Sequence, residues 1–246
     1  TGACGDCWAV SATMTATDRW CIFHNQTANP VLSVESMVGC CHVCGYGCAD
    51  GFPNYAWAWL AGQKGTPYGV VTGGAQNDTS FCSKYTVPMC NHYETKNDTL
   101  PSCESGPPHK TPSCPARCDA DSTYTTPFAQ DVHRFSQAYA VAADEETIMR
   151  EIMTHGPVTA GFNVYSDWIH YPEGTGADQI YKPAGGTEMG GHAVRIVGWG
   201  ASPAGVKYWT IANSFGVKWG IEGGYFKMAR GVGAGGIEES VVAGLP

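Results

Sequence analysis

The distribution of cysteines constrains the fold of this chain more than any other feature. Twelve cysteines occur in 246 residues, and all of them lie between residues 4 and 118. A reducing cytosol would leave so many thiols open to misoxidation, whereas an oxidising compartment turns them into a disulfide framework. Three N-glycosylation sequons, which begin at Asn25, Asn77 and Asn97, favour the same route. We therefore expect a protein that follows the secretory route through an oxidising compartment.

Composition and charge exclude two classes of function. The net charge is −8 and only 15% of residues are charged, so the chain has no basic footprint for nucleic acid. No apolar run approaches the roughly 18–20 residues of a membrane-spanning helix.

No signal peptide is visible, and Thr1 opens directly onto a dense motif. We expect a signal, any pro-segment and part of the mature N-terminus to lie upstream.

Hydrophobic periodicity changes near residue 130. Before that point we expect a helix from residue 7 to about 24, a short helix at 55–60, and much turn chemistry between 40 and 130. After it we expect a helix at 143–154 that stops at Gly156-Pro157, and then strands. The expected strands cover 158–165, 192–199, 207–212, 225–229 and 240–243. The sequence predicts a helical, disulfide-stapled domain at 1–130 and a strand-rich domain at 131–246.

The segment Cys4-Gly5-Asp6-Cys7-Trp8-Ala9 is the most informative motif. A thiol in the first turn of a helix faces unpaired backbone N–H groups and the positive end of the helix dipole, and both favour the nucleophilic thiolate. A disulfide oxidoreductase using Cys4 and Cys7 is an alternative, although no βαβ pattern surrounds the pair. A structural half-cystine suits Cys4 better than Cys7.

This motif resembles the active-site signature of papain-like cysteine peptidases, and two further segments match that family in order. Gly190 to Arg195 resembles its histidine strand and Tyr208 to Ser214 its asparagine strand. Segments 216–220 and 223–226 extend a likeness that is closest to the cathepsin B branch. The resemblance implies an α+β fold of two domains, a helical disulfide-rich left half and a strand-rich, barrel-like right half, with the active-site cleft between them.

The same resemblance implies the catalytic roles. Cys7 would attack the carbonyl carbon, His192 would take and return the proton, and Asn213 would orient the imidazole. Trp219 would pack near the contact between His192 and Asn213. The implied enzyme is a cysteine endopeptidase that needs no cofactor or metal and that is either secreted or located in a lysosome-like acidic compartment. Its partners would be protein and peptide substrates, protein inhibitors of cysteine peptidases and its own pro-segment, and it would be a monomer.

An insertion separates the nucleophile from the histidine. Cys7 and His192 are 185 residues apart, against about 130–150 in the family pattern. We place the excess, an occluding-loop-like insertion, at about 82–118. The resemblance implies five disulfides: Cys4–Cys48, Cys40–Cys114, Cys41–Cys44, Cys82–Cys118 and Cys90–Cys103. It leaves Cys7 free, and it leaves Cys21 without its family partner, which would precede Thr1. A zinc site in residues 40–48 is the metal alternative, although its spacing lacks two clean ligand doublets.

Substrate contacts also follow from the resemblance. The implied set is Asp50, Gly51, Phe52, Pro53, His92, Tyr93, Gly161, Gly191, Ala193, Phe215, Trp219 and Ser240. The branch often has a glutamate where Ser240 stands, and that glutamate pairs with an arginine of the substrate. With Ser240 there, we expect the second pocket to prefer an apolar substrate residue. If the alignment is shifted by one residue, Glu239 takes this position and restores the negative charge. Tyr93 replaces a carboxylate-binding histidine beside His92, which predicts reduced dipeptidyl-carboxypeptidase activity.

Several departures from the family bear on catalysis. Thr1 stands at the position of the oxyanion-hole glutamine, so the Cys7 backbone N–H would be left as the main donor. Phe215 replaces a usual tryptophan, and Asp50 a usual glycine. Asp6 replaces a usual serine and would raise the pKa of Cys7. Thr1, Phe215 and the expected missing N-terminus favour, as a second hypothesis, a catalytically impaired homologue that binds peptides or inhibitors. The intact Cys7, His192 and Asn213 argue against it.

Overall fold

The computed structural model describes residues 1–25, 30–92, 99–107 and 109–246. It contains four α-helices: α1 Cys7–Phe23, α2 Val34–Cys40, α3 Pro53–Leu60 and α4 Glu145–His155. Seven strands follow or interleave with them: β1 Gln137–Ala140, β2 Val158–Tyr165, β3 Ile180–Tyr181, β4 Glu188–Ala201, β5 Lys207–Ala212, β6 Tyr225–Ala229 and β7 Val241–Leu245. In the described part of the chain, no helix combines the length and apolarity needed to cross a membrane.

The strands form one sheet in the order β1-β7-β2-β4-β5-β6-β3. All its pairs are antiparallel except β3 with β6. In the β2–β4 pair, Phe162 lies opposite His192 and Gly161 opposite Ala193. Because side chains alternate across a strand, this register decides which residues of β2 and β4 share a face with the histidine.

Helix α1 is buried along most of its length. Trp8, Ala9, Ala12 and Ala16 are fully buried, so the helix is a central element of the molecule rather than a surface one. Its last turns are tied to the strand-rich half by Arg19, which is 1% exposed. The guanidinium donates hydrogen bonds to the Pro157 carbonyl at 2.6 Å and to the Glu151 carboxylate at 2.8 Å. A paired buried charge of this kind is costly to break from one side.

Two apolar clusters form the interior. One gathers residues of α4 and the sheet, between Val141 and Ala243. The other gathers residues of α1, α2 and α3, from Trp8 to Val70, together with Phe135. The domain boundary near residue 130 stays a prediction, and Phe135 packs with the helical cluster although it lies beyond that boundary.

The disulfides of the structure pair the same cysteines that the resemblance implied. They are Cys4–Cys48, Cys40–Cys114, Cys41–Cys44, Cys82–Cys118 and Cys90–Cys103. Cys7 and Cys21 are free. Bonding of Cys40, Cys41, Cys44 and Cys48 in disulfides removes the thiolates that a zinc site in this segment would need.

Candidate active site

The nucleophile predicted from the sequence lies at the start of α1. Asp6 is the N-cap residue but its side chain makes no capping hydrogen bond, and Cys7 is the first helical residue. The disulfide between Cys4 and Cys48 and the hydrogen bond from Trp8 Nε1 to the Gly47 carbonyl, at 3.1 Å, fix this turn against the loop at 44–52. The thiol is therefore held at a helix N-terminus by contacts on both of its sides.

The environment of Cys7 works against a free thiolate. Burial is the main cause that raises its pKa to about 11, and the carboxylates of Asp50 and Asp6 raise it further. Backbone N–H groups of Ala193 and Trp8 donate hydrogen bonds to the sulfur and lower the pKa. Loss of hydration of the sulfur therefore outweighs the helix dipole that the sequence predicted to favour the thiolate.

His192 lies on β4, next to the Ala193 amide that contacts the sulfur. The imidazole is 8% exposed and burial lowers its pKa to about 4, although its hydrogen bond with Asn213 raises it in part. Its Nε2 lies 2.8 Å from Asn213 Oδ1. The Ser214 N–H donates to the same oxygen at 2.8 Å, which identifies that atom as the amide oxygen. Nε2 therefore carries the proton, and Nδ1 is free to accept one.

Aromatic rings enclose the imidazole. Phe215 stacks on it with ring centroids 4.9 Å apart, and Trp168 and Phe162 lie at 5.6 and 5.8 Å. Trp219 is buried and packs edge-on against Phe215 at 5.6 Å. Phe215 is thus the ring that covers the histidine, and Trp219 supports it from behind. Sequence analysis missed Trp168 and Phe162, because nothing in their local sequence marks them as neighbours of the histidine.

A cavity of about 310 Å³ contains Cys7 and His192. Of the substrate contacts expected from sequence, it is lined by Asp50, Gly51, Phe52, Pro53, Gly161, Gly191, Ala193 and Ser240. It is also lined by four residues that the sequence did not suggest: Phe162, Asn163, Gly235 and Gly236. Ser240 and Glu239, the two alternatives that the sequence left open for the second pocket, both line the cavity.

Three of the expected residues, His92, Phe215 and Trp219, lie elsewhere in the described part of the chain. Phe215 and Trp219 lie behind the imidazole, as described above. His92 stacks on the other face of Phe215, with centroids 4.5 Å apart, and burial lowers its pKa to about 4. Tyr93 and the sequon residue Asn97 lie outside the described residues, whereas Asn25 and Asn77 are exposed.

Thr1 is placed beside His92 rather than in the cavity with the nucleophile. Its hydroxyl donates to the Ser214 carbonyl at 3.0 Å. His92 Nε2 lies 2.9 Å from that hydroxyl and 3.3 Å from the Thr1 carbonyl. Because a carbonyl only accepts, Nε2 of His92 is the donor. The hydroxyl proton is therefore committed to Ser214, which is not the arrangement of an oxyanion-hole donor.

Comparisons with known proteins agree with this geometry. Residues 1–245 match the family described as papain family cysteine protease. Cathepsin B-like cysteine proteinase 4 of Caenorhabditis elegans is 41% identical over 99% of this chain and 68% of its own length. The cathepsin B-like cysteine proteinase of Schistosoma japonicum is 41% identical over 98% of this chain and 66% of its own length. The chain thus spans about two thirds of these relatives.

Solved structures agree at the level of the fold. Procathepsin B S9 from Trypanosoma congolense superposes with a TM-score of 0.76 at 30% identity, over 100% of this chain and 70% of that one. Procathepsin L 3 of Tenebrio molitor superposes with a TM-score of 0.67 at 18% identity, over 99% of this chain and 64% of that one, and supports the fold alone. Because the family match covers residues 1–245, nearly the whole of this chain, the chain belongs to the papain family of cysteine proteases, on its cathepsin B-like branch.

Proposed function

We propose that this chain is a cysteine endopeptidase in which Cys7 is the nucleophile, His192 the general acid and base, and Asn213 the residue that orients His192. The hydrogen bond from His192 Nε2 to Asn213 Oδ1, at 2.8 Å, is the observation that carries the proposal. It fixes the tautomer whose Nδ1 accepts a proton, in the cavity that also contains the thiol. That is the protonation state a general base requires.

The proposed chemistry begins with both groups neutral, because burial raises the pKa of Cys7 and lowers that of His192. The thiol proton passes to Nδ1 as the sulfur attacks the substrate carbonyl, so the two charges form together and stabilise each other. The imidazolium then protonates the departing amine, which leaves a thioester on Cys7. Water, deprotonated by His192, attacks the thioester and releases the acid and the thiol.

The charge on the tetrahedral oxygen would be stabilised mainly by the Cys7 backbone N–H at the helix N-terminus. Thr1 does not supply the second donor in this geometry, because its hydroxyl donates to Ser214. Loss of one such donor typically costs about 10²–10³ in kcat. This observation favours the second candidate function, a slow homologue that binds peptides or inhibitors.

Finer features belong to the same proposal. Apolar residues would be preferred in the second pocket, beside Phe52 and Ser240, and dipeptidyl-carboxypeptidase activity would be reduced. The Glu239 carboxylate lines the same cavity and supports the alternative, a second pocket that takes a basic residue. The five disulfides suit a lysosome-like or secretory compartment. The enzyme would work as a monomer and without a cofactor. Its own pro-segment and protein inhibitors of cysteine peptidases would be its partners.

Titration with an epoxide inhibitor of cysteine peptidases tests the proposal. One inhibitor per chain, attached to Cys7, with parallel loss of hydrolysis of a fluorogenic peptide, is expected. Labelling without measurable hydrolysis would favour the impaired homologue. Absence of labelling would refute the active peptidase. An oxidoreductase is opposed by the bond of Cys4 to Cys48, which leaves Cys7 without a redox partner.

A further inference from the structure

Gly51 presents one backbone edge to the cavity. It is bridged to Gly45 in an antiparallel arrangement. The bonds of that bridge run through the flanking residues: the Tyr46 N–H donates to the Asp50 carbonyl at 2.7 Å, and the Phe52 N–H donates to the Cys44 carbonyl at 2.8 Å. Gly51 therefore directs its own N–H and carbonyl away from Gly45. An extended peptide can pair with this edge as an added strand.

The Gly51 N–H already has a partner, the carboxylate of Asp50. It donates to Asp50 Oδ1 at 2.7 Å. A peptide backbone that pairs with Gly51 must therefore displace that carboxylate oxygen. Asp50 is exposed, so its side chain is free to rotate toward another donor.

The charge of the cavity indicates what that other donor would be. Asp50 and Glu239 both line it, and the described lining residues include neither lysine nor arginine. Asp50 also lies close enough to the nucleophile for its charge to raise the pKa of Cys7. Cys7 and Asp50 line the same cavity, so the residue whose carbonyl reaches Cys7 enters the cavity that holds the Asp50 carboxylate.

We propose that Asp50 is a specificity-determining residue that selects substrates with arginine or lysine immediately before the scissile bond. The cationic side chain draws the carboxylate off the Gly51 amide, so the substrate gains an ion pair and a backbone hydrogen bond in the same step. A neutral side chain offers no replacement, and the substrate backbone then competes with Asp50 for Gly51. This inference rests on the proposed peptidase function.

Backbone geometry provides a clean variant. Asp50 has a φ of +103°, a region that glycine adopts without steric cost and in which a residue with a Cβ is strained. Asp50→Gly removes the carboxylate and relieves that strain, so the variant should fold at least as well. Asp50→Asn keeps the size of the side chain and removes only the charge. Glu239→Gln removes the other carboxylate of the same cavity and serves as the matched control.

The test compares two fluorogenic peptides that differ only in arginine or citrulline before the scissile bond. Citrulline has nearly the shape of arginine without the charge. We expect the unaltered enzyme to favour arginine in kcat/KM by roughly five- to tenfold, the size of one partly exposed ion pair plus one hydrogen bond. The ratio should fall to about one in Asp50→Asn and Asp50→Gly, chiefly through faster citrulline cleavage in the glycine variant. Glu239→Gln should retain the ratio.

An arginine-to-citrulline ratio that survives in both Asp50 variants would overturn the inference while leaving the peptidase standing. An arginine-to-citrulline ratio that falls as far in Glu239→Gln as in the Asp50 variants would also overturn the inference. The selection would then come from the total negative charge of the cavity and not from Asp50. Failure of the unaltered enzyme to cleave either peptide would instead count against the proposed function.

Discussion

Substitution of Asp6 by asparagine should change the pH dependence of stability in a defined direction. Asp6 is 1% exposed, and burial raises its pKa from 3.8 to about 6. Tyr85 donates a hydrogen bond to Asp6 Oδ2 at 2.6 Å, which lowers the pKa in part, while Oδ1 is buried without a partner among the described residues. The folded state therefore holds a proton that the unfolded chain has already lost between pH 4 and pH 6.

The sign follows from this difference in bound protons. Because the pKa is higher in the folded state, the stability that Asp6 contributes is fully present below pH 3.8 and is lost as the pH rises through about 6. The shift of about two pKa units corresponds to about 2–3 kcal/mol between pH 4 and pH 7. Asp6→Asn cannot ionise, so relative to the unaltered chain it should gain about that much over this interval. Its extra amide hydrogens lower stability equally at both pH values.

The assay is denaturant unfolding followed by tryptophan fluorescence at pH 4 and pH 7, in a Cys7→Ser background that prevents self-cleavage. Tyr85→Phe is the matched companion, because removal of the hydrogen bond to Asp6 Oδ2 raises its pKa further and should steepen the loss of stability. Equal effects of Asp6→Asn at the two pH values would refute the reasoning. In the chain that retains Cys7, Asp6→Asn removes a negative charge near the thiol and should lower the pKa of Cys7.

Three more predictions concern the site. Asn213→Ala should lower kcat by roughly 10²-fold with a much smaller change in KM, because the imidazole loses its orienting bond; a change confined to KM would contradict this. Phe215→Ala should raise the pKa of His192 by exposing a ring whose burial lowers it, seen as a shift in the pH profile of kcat/KM; an unmoved profile would count against the stacking argument. Gly51→Ala should cost about 1–3 kcal/mol, because its Cβ would lie 2.7 Å from the ring of the fully buried Trp8. Gly191→Ala, whose Cβ would meet nothing within 4 Å, should change the unfolding free energy far less.

Much of the fold could be predicted from local patterns in the chain. Strands β5 and β6 and the start of α1 coincide with the predicted segments, because strand-forming residues and the motif around Cys7 are local features of the chain. Asp6, the predicted N-cap, stands at that position but makes no capping hydrogen bond through its side chain. Helix α2, at Val34–Cys40, was missed although a local signal marks its start: Ser33 is its N-cap and accepts a hydrogen bond from the Ser36 N–H at 3.0 Å. Strand β3 has two residues and pairs only with β6, so it has no periodicity to detect.

The site was predictable only where a motif carried it. Cys7, His192 and Asn213 lie in motifs with family order, and the structure brings His192 and Asn213 into contact. Trp168, Phe162 and Tyr85 reach the site through tertiary packing, which no local sequence pattern reports. The burial of Asp6 and Cys7, which dominates their pKa values, is a property of the folded interior and could not be deduced from the helix dipole alone.

The proposed mechanism requires a thioester intermediate on Cys7, and rapid mixing with an activated ester substrate detects it. We expect a burst of alcohol product equal to one per chain, and an acyl mass added to the peptide that contains Cys7 when the reaction is quenched in acid. The burst should vanish in Cys7→Ser. An acyl group found on another residue, or a Cys7 sulfur found bonded to Cys4, would rule out Cys7 as the nucleophile.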